Sequence, residues 1–338
     1  MNKIPFSFKV NCHSAKVFQL AKPAAYELAT GDAIDDIVDY RNILSGTVVS
    51  TDTVIKLNKA KDYIGSNWKV YVKNRDKVVP KTKTYCGYRS RYHTFVKLKQ
   101  ALELAAVDEK FHSFYDLAFA PGAFTEGLLR THDIKRCYGI TLKEDGLRVD
   151  RAITSDKRFT MVSPDDGDMY KKANLDASSV VGKVDLVCGD GGFDVSGKDE
   201  NLQSLMHYHL IFCEFVYAAN FCREGGTFVC KLFDTFDEYT ANVIMAATVL
   251  FDTVKITKPD ESRLVNSERY IVCTGFHQNA ELTAHLNKML EASETATPGL
   301  VFKSLDFEFL QSLKLATESI ATLQTKEIYR VVDACKRF

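Results

Sequence analysis

The sequence lacks several features that would assign it to a familiar class of protein. No run of about eighteen apolar residues is present, so we expect no membrane-spanning helix. The opening MNKIPFSFKV has no long apolar core, so we expect no secretory signal peptide. The nine cysteines include no C-x-x-C pair, and Cys188, Cys230 and Cys273 lie in strand-like apolar runs. We therefore expect buried thiols in a reducing intracellular compartment, rather than disulfides or a zinc site.

Two common nucleotide-binding fingerprints are also missing. The chain contains neither the G-x-G-x-x-G of dinucleotide-binding folds nor the G-K-[ST] of a P-loop. These absences disfavour a nucleotide hydrolase and a nicotinamide-dependent oxidoreductase. Binding measurements with NAD would test the second of these alternatives directly.

The formal net charge of the chain is zero, but the charges are unevenly distributed. Between Val54 and Lys99, thirteen lysines and arginines accompany only two acidic residues, Asp62 and Asp76. The aromatic residues in this stretch are Tyr63, Trp68, Tyr71, Tyr85, Tyr88, Tyr92 and Phe95. Because basic groups bind phosphates and aromatic faces stack on bases, one interpretation is a nucleic-acid surface. A solvated charged surface above core aromatics is an equally supported interpretation.

The middle of the chain has the pattern of an α/β domain. A length of 338 residues favours one core domain with attached segments. Strands are predicted at FYDLAFA, CYGITL, RFTMV, VDLVCG, TFVCKLF, TVKIT and RYIVCTGF, alternating with helical segments. This alternation predicts a doubly wound, mostly parallel sheet, which binds ligands at the carboxyl ends of its strands near the switch in strand order. The flanks predict a partly helical N-terminal extension and two or three C-terminal helices, packed on the core or on a second copy.

Charged residues mark the ends of three predicted strands. Asp190 follows VDLVCG, Lys231 lies within TFVCKLF, and Glu268 precedes RYIVCTGF. A single buried lysine is usually paired or snorkelling, because an unpaired buried ammonium is costly. Three charged residues at comparable positions instead favour a shared site. Beside them, the small-residue turn around Gly122 would let a ligand approach the backbone closely.

Taken in order, several segments resemble the motifs of FtsJ-type RNA ribose 2'-O-methyltransferases. The segments are APGAF, DGGF, GGTFVCKLFD, KPDESR and NSERYIV. The segment ENLQ after DGGF, with FVCKLFD and NSERY, resembles the branch that methylates the first transcribed nucleotide of capped mRNA. The similarity extends over about residues 85 to 277. It implies a Rossmann-like methyltransferase domain at 85–280. The pattern outside that domain predicts an N-terminal extension at 1–84, which we expect to contribute to RNA or cap binding, and a C-terminal helical segment at 281–338.

The resemblance also implies a set of functional residues. A Lys-Asp-Lys-Glu catalytic tetrad would comprise Lys97, Asp190, Lys231 and Glu268, with Lys99 as the alternative to Lys97. The methyl donor would be S-adenosylmethionine, and no metal is required because its methyl group is already activated. The residues implied in binding it are Ala118, Phe119, Ala120, Pro121, Gly122, Ala123, Phe124, Asp190 and, at the adenine, Asp168. One departure from the family pattern is GITLKED, since many relatives have an acidic residue at the end of the second strand.

Substrate contacts are expected on both sides of the tetrad. The resemblance implies that Asn201, Gln203 and Asn266 contact the RNA, although Asn201 has an equally supported role as a helix cap. From the basic stretch, Arg89 and Arg91 are expected to contact phosphates. The expected partner is capped mRNA, in the nucleus for a cellular enzyme or in host cytoplasm for a viral one. A second copy or another capping protein would bind through the terminal segments.

The chemistry suggests a specific role for Lys231. A general base at neutral pH would need a pKa near about 7 to 8, well below the lysine reference of about 10.4. Burial and the positive charge of Lys97 are expected to lower that pKa, whereas Asp190 and Glu268 would raise it. A methyltransferase of ribosomal or transfer RNA, and a catalytically silent RNA-binding relative, remain alternatives.

Overall fold

The first elements of the chain are mainly helical. In the computed structural model of the protein, the described residues are 16–34, 37–81, 84–85, 88–89, 93–143, 148–162, 166–195 and 200–338. The first elements are β1 (Lys16–Gln19), α1 (Tyr40–Ile43), α2 (Thr51–Ser66), α3 (Trp68–Val78), β2 (Thr84–Tyr85), β3 (Tyr88–Arg89) and α4 (Thr94–Leu104). Strands β2 and β3 form a small antiparallel pair of their own.

An alternating series of strands and helices follows. Its elements are β4 (Ser113–Leu117), α5 (Ala123–Thr131), β5 (Arg136–Ile140), α6 (Arg151–Thr154), β6 (Phe159–Met161), α7 (Lys172–Ala177), β7 (Val184–Gly189), α8 (Gln203–Phe221), β8 (Cys222–Leu232), α9 (Glu238–Leu250), β9 (Phe251–Lys258) and β10 (Arg269–Phe276). Two helices end the chain, α10 (Ala280–Ala292) and α11 (Phe307–Lys336). All seven strands expected between residues 111 and 276 are present.

Within the described residues, the main sheet has eight strands in the order β1-β9-β10-β8-β7-β4-β5-β6. Strands β4 to β8 pair in parallel, whereas β10 runs antiparallel to both β8 and β9. The chain moves outward from β4 to β6 and then returns to β7 on the other side of β4. This is the predicted doubly wound, mostly parallel sheet, and its switch in strand order lies between β4 and β7.

Apolar residues cover both faces of the sheet, as expected for parallel strands. On one face, α4 and α5 contribute Phe95, Leu98 and Leu128 to a core with sheet residues such as Leu186. On the other, α8 and α9 pack on the opposite side chains of the same strands, and Tyr115 and Phe228 belong to this second, larger core. The long apolar segments at 203–221 and 238–250 are therefore interior helices of a three-layer structure.

The two terminal segments pack together beside the sheet. Strand β1 pairs antiparallel with β9 at the sheet edge, and α11 packs on α2 and α3. The Tyr63 hydroxyl donates to Asp333 at 2.7 Å, and the Asn74 amide donates to the carbonyl of Cys335 at 3.0 Å. These contacts join helices that lie more than 250 residues apart in the chain. The division of the chain at residues 84 and 280 stays a prediction.

Cysteine burial follows the expectation from the strand-like runs. The seven described cysteines, Cys137, Cys188, Cys213, Cys222, Cys230, Cys273 and Cys335, are all buried and none is in a disulfide. In the described part of the chain, no helix is both long enough and apolar enough to cross a bilayer.

Candidate active site

The four predicted tetrad residues lie together at the carboxyl edge of the sheet. Asp190 directly follows β7, and Lys231 is the second-last residue of β8. Glu268 directly precedes β10, whose antiparallel direction brings its start to the same edge. Lys97 reaches this edge from α4, where its Nζ lies 2.7 Å from Oε1 and 2.9 Å from Oε2 of Glu268. The geometry therefore joins two groups that the sequence separates by 171 residues.

Lys231 is paired with the residue after the neighbouring strand. Its Nζ donates to the carbonyl oxygen of Asp190 at 2.9 Å and lies 3.4 Å from Oδ1 of the same residue. Only 12% of the lysine side chain is exposed, so the ammonium is largely shielded from water. Gly192 leaves room for it, because a Cβ added there would lie 3.0 Å from the Lys231 Nζ.

Lys99, the alternative to Lys97 as the first lysine of the tetrad, pairs with a carboxylate outside the tetrad. Lys99, two residues after Lys97 in α4, is buried and forms its ion pair with Glu109, which His132 also contacts. Residues two apart on a helix do not share a face. Lys97 is therefore the lysine that faces Glu268.

Tyr270 connects the two acidic residues, and sequence reasoning missed it. Its buried hydroxyl lies 2.9 Å from Asp190 Oδ1 and 3.2 Å from Glu268 Oε1. Tyr270 is the cross-strand neighbour of Lys231, which explains how a β10 side chain reaches the same point. The only available signal was the tyrosine of NSERY, which cannot be distinguished from a core aromatic without the register of the two strands.

Lys258 at the end of β9 was also missed. This fully buried lysine donates through Nζ to the carbonyl oxygens of Asn266, at 2.6 Å, and Glu268. Ser262 donates to Pro259 O at 2.7 Å and also lies 3.3 Å from Glu268 O. Burial lowers the pKa of Lys258 to about 7, although the nearby Glu268 opposes the shift. Lys258 thus fixes the backbone on which Glu268 is carried.

Of the opposing influences on the Lys231 pKa that the sequence suggests, the raising ones prevail in this structure. Burial alone would lower that pKa, but the carboxylates of Asp190, Glu268 and Glu214 outweigh it and raise the pKa of the lysine. Lys97 adds little opposing charge because Glu268 neutralises it directly. For Glu268 itself, burial opposes the charged form, but Lys97 and Lys231 together lower the pKa of the carboxyl. The four groups therefore form two ion pairs in this structure.

A crevice opens between the ends of β4 and β7, at the switch in strand order. It is lined by residues of the small-residue turn and by two carboxylates, namely Ala118, Phe119, Ala120, Pro121, Ala123, Phe124, Asp116 and Asp190, with Thr94 at one side. Small side chains leave the backbone of the turn accessible. The carboxylates fit a ligand that carries a positive charge, and S-adenosylmethionine carries one on its sulfur. The crevice thus suits this cofactor chemically.

Gly122 shapes the turn from behind rather than lining the crevice. Its φ of +110° lies in the left-handed region that favours glycine. A Cβ added there would lie 2.2 Å from Cδ1 of Ile153, so any side chain at this position would clash within the protein. Gly122 begins α5 as its N-cap residue.

Asp116 in β4 is a third residue that sequence reasoning left without a role. Its carboxylate accepts from the backbone N and the Oγ1 of Thr125, at 3.1 and 2.6 Å, and so holds the first turn of α5. Burial raises the pKa of Asp116 to about 7, with a further contribution from the negative charge of Asp190. A cationic ligand in the crevice would favour its charged form.

Asp168 lies at the same edge of the sheet, further along. Lys143, just after β5, donates its backbone N–H to Asp166 O at 2.8 Å, and a Cβ on Gly167 would meet Thr141 O. This packing places the 166–168 segment beside the end of β5. The Asp168 carboxylate accepts from the backbone N–H of Tyr170 at 3.0 Å. Its contact with an adenine stays a prediction.

A groove extends from the tetrad along the N-terminal helices. Gln203, Asn266 and Glu268 line it on the sheet side. The other side is formed by the basic, aromatic stretch, through Trp68, Tyr71, Arg75 and Lys81. Two predicted substrate residues and part of the predicted RNA surface therefore share one groove with a tetrad residue.

The other three predicted substrate residues are Asn201, Arg89 and Arg91, and the structure describes the side chain of Asn201 alone. For Asn201, the capping position of α8 is occupied by Leu202, so the helix-cap role is wrong at that position. Asn201 lies in the preceding 3₁₀ turn, Glu200–Leu202. Arg91 lies outside the described residues. For Arg89, the backbone is described in β3, but the side chain lies outside the described part.

A buried charge network connects the site to both terminal segments. Asp234, just after β8, lies 2.6 Å from the Nζ of Lys61 in α2 and 2.7 Å from a guanidinium nitrogen of Arg269. Ser267 donates to the same carboxylate at 2.9 Å, and Gln324 of α11 donates to Val265 O at 3.2 Å. The residues that flank Glu268 are thus fastened to α2 and to α11. In the described ranges, no group of three or more histidine, cysteine or acidic residues is arranged to hold a metal ion.

The chain matches one family model and several relatives of one name. Residues 88–276 match the family model of the FtsJ-like methyltransferase. The chain is 36% identical over 173 residues to cap-specific mRNA (nucleoside-2'-O-)-methyltransferase 1 of Trypanosoma brucei brucei, covering 48% of this chain and 47% of that protein. It is 30% identical over 262 residues to the Trypanosoma cruzi protein of the same name, covering 70% and 72%. The Mus musculus protein of that name is 32% identical over 245 residues, covering 64% and 29%. The chain thus spans about half of the first of these relatives and under a third of the last.

Proposed function

Because the chain belongs to the FtsJ-like methyltransferase family, we propose that it methylates the ribose 2'-oxygen of the first transcribed nucleotide of capped mRNA. The observation that carries the proposal is the shared groove, which joins Gln203, Asn266 and the basic, aromatic helices to Glu268. A substrate lying in it would have its phosphates beside cations and its ribose at the Glu268 end, next to the rest of the tetrad. The three relatives are named as cap-specific mRNA (nucleoside-2'-O-)-methyltransferases, which supports capped mRNA as the substrate class.

One group of residues would bind the cofactor, and Lys231 would accept the proton of the ribose hydroxyl. S-adenosylmethionine supplies an activated methyl group and, in its sulfonium, a positive charge that lowers the pKa of a neighbouring ammonium. Asp116, Asp190 and the 118–124 turn form the crevice that would hold it. The cofactor, held there, would supply the methyl group to the ribose oxygen, and the hydroxyl proton would pass to Nζ of Lys231 once that amine has lost its own proton to solvent. Asp190, with its carbonyl 2.9 Å from that Nζ, directs the amine.

Lys97 and Glu268 would position the nucleotide rather than take the proton. Their ion pair, with 2.7 Å between Nζ and Oε1, leaves an ammonium that can donate to the ribose oxygen as its proton departs. Tyr270 holds Asp190 and Glu268 at a fixed separation. This division predicts that Lys97 contributes to the orientation of the hydroxyl and Lys231 to its deprotonation.

The decisive experiment is transfer of labelled methyl groups to matched RNAs. Capped RNA, the same RNA with a 5' triphosphate, and ribosomal and transfer RNA should be compared, followed by nucleoside mapping of the product. We expect label only on the 2'-oxygen of the first nucleotide of the capped RNA, and none with a folded Lys231→Met variant. Label on internal ribosomal or transfer RNA positions would favour that substrate instead. RNA binding without any transfer would identify a catalytically silent relative.

A further inference from the structure

Trp68 offers an exposed aromatic face at the end of the groove. It is the first residue of α3, and 52% of it is exposed although it lines the groove. Its ring is supported by the buried Tyr71, with 5.9 Å between the ring centroids and 37° between the planes. Arg75 in turn lies over the Tyr71 ring at 5.7 Å. An aromatic surface is therefore exposed to solvent and backed by a second ring that itself carries a cation.

Positive charge collects between Trp68 and the tetrad. Arg75, Lys81 and Arg263 all line the groove. Burial and the positive charges of Arg263, Lys97 and Arg75 lower the pKa of Lys81. Asp76 is their acidic neighbour, since it pairs with Arg263 and lies 4.0 Å from Arg75. Several cations that repel one another around one carboxylate favour a polyanionic ligand.

We propose that Trp68 stacks on the methylated guanine base of the cap, and that Arg75, Lys81 and Arg263 bind the triphosphate bridge. This inference rests on the proposed function and specifies how the substrate is recognised. N7-methylguanine carries a positive charge, so its stacking on an indole adds a cation–π attraction that unmethylated guanine lacks. The triphosphate then spans the cations toward Lys97. The ribose of the next nucleotide reaches the two lysines.

The single tryptophan of the chain makes the proposal directly measurable. Intrinsic fluorescence of the full-length protein should be titrated with the cap dinucleotide m7GpppA, with GpppA and with inorganic triphosphate. We expect saturable quenching by m7GpppA, at least tenfold weaker binding of GpppA, and binding of triphosphate without stacking-type quenching. Triphosphate binding should weaken with added salt, because it depends on charge.

Variants separate the base contact from the phosphate contact. By calorimetry, Trp68→Ala should weaken m7GpppA binding at least tenfold and leave triphosphate and S-adenosylmethionine binding unchanged, whereas Trp68→Phe should retain most of the affinity. Phe307→Ala removes a similarly exposed aromatic, 69% exposed at the start of α11, and should change nothing. Lys81→Met should weaken both cap analogues and triphosphate. Lys73→Met, an exposed lysine of α3, is its control.

The outcomes distinguish this inference from the proposed function. Unchanged fluorescence at saturating m7GpppA, or equal m7GpppA affinity in Trp68→Ala, would overturn the stacking assignment. If capped RNA is still methylated selectively in that case, only the inference fails. If the protein methylates uncapped RNA equally well and binds no cap analogue, the proposed function itself fails, and with it the assignment of the groove.

Discussion

The protonation state of Lys231 decides how the tetrad works. Asp190, Glu268 and Glu214 raise its pKa, so the lysine is an ammonium at neutral pH and must lose a proton before it can accept one. We predict that the methylation rate rises with pH. The rising limb of the profile should lie at lower pH for kcat than for kcat/KM measured with S-adenosylmethionine as the varied substrate. The reason is that kcat reports the complex, in which the cofactor charge opposes the ammonium. Full pH profiles of single-site methylation check this.

Substitutions at Lys231 test the same role independently. Lys231→Arg should fold, bind S-adenosylmethionine and lose transfer almost completely, because a guanidinium keeps its proton near neutral pH. Lys231→Met should behave alike. Substantial turnover by the arginine variant would contradict the proton-acceptor role and leave Lys231 as a source of positive charge only.

Lys258 should make stability depend on pH. Its folded pKa is about 7 and its unfolded pKa is about 10.4, so between these values the unfolded chain binds a proton that the folded protein does not. The free energy of unfolding should therefore rise with pH through this window, by up to about 1.4 kcal/mol per unit. Below pH 7 this contribution should be constant.

The comparison that isolates this effect is with Lys258→Met. Urea denaturation of both proteins from pH 6.5 to 10 should give a steeper increase for the wild type. If the free energy of unfolding depends on pH in the same way in both proteins, the pKa of Lys258 is not lowered by folding. The variant should also be less stable, because the carbonyls of Asn266 and Glu268 lose a buried donor, which costs about 1 to 3 kcal/mol each when unsatisfied.

At the scale of elements, the turn after β4 is best tested at Ala120. Gly122→Leu would clash with Ile153 and strain the backbone, so loss of binding in that variant would be ambiguous. Ala120 lines the crevice and is partly exposed. Ala120→Leu should keep the melting temperature within a few degrees and weaken S-adenosylmethionine binding by at least tenfold. Ala280→Leu, at an exposed alanine in α10, is the matched control. Equal cofactor affinity in both variants would place the cofactor elsewhere.

Strands and interior helices were predictable because each carries a local signal. VDLVCG and RYIVCTGF are continuous apolar runs, and both form strands where expected. Lys97 could be preferred from its spacing to the strand that carries Asp116. Tyr270 and Lys258 could not be assigned, because their roles depend on the register of β8, β9 and β10 and on backbone carbonyls of a loop. The position of Trp68 on the groove likewise depends on how α3 packs against distant segments.

At the scale of the molecule, the groove is assembled from both ends of the chain. Lys61 of α2 fastens Asp234 beside the tetrad with 2.6 Å between Nζ and Oδ2, and both side chains are at least 90% buried. Lys56 of the same helix pairs with Asp52 at the same distance, but both side chains are mostly exposed. Because one ion pair is buried and the other exposed, comparing them tests whether the buried pair stabilises the packing of α2 against the rest of the protein.

We predict that Lys61→Met lowers the free energy of unfolding by about 3 kcal/mol, because Asp234 is left as a partly uncompensated buried charge. Lys56→Met should cost less than about 1 kcal/mol, as exposed ion pairs do. Denaturant unfolding of both variants checks this. Lys61→Met should also weaken cap binding, since it loosens the helix that precedes Trp68. Equal losses in the two variants would mean that Arg269 and Ser267 suffice to hold Asp234.

Alkylation rates of the buried cysteines can measure how often each part of the structure opens locally. Alkylating reagents attack thiolates, and burial both shields the seven described thiols and raises the pKa of each. Modification at each position therefore has to wait for a fluctuation that exposes it. Labelling rates measured at each cysteine would rank the parts of the protein by how often they open. Cys335 would report on α11, and Cys188 and Cys230 would report on the strands beneath the tetrad. Slowing at Cys188 and Cys230 on addition of ligand, with Cys335 unchanged, would reveal which region a bound molecule rigidifies.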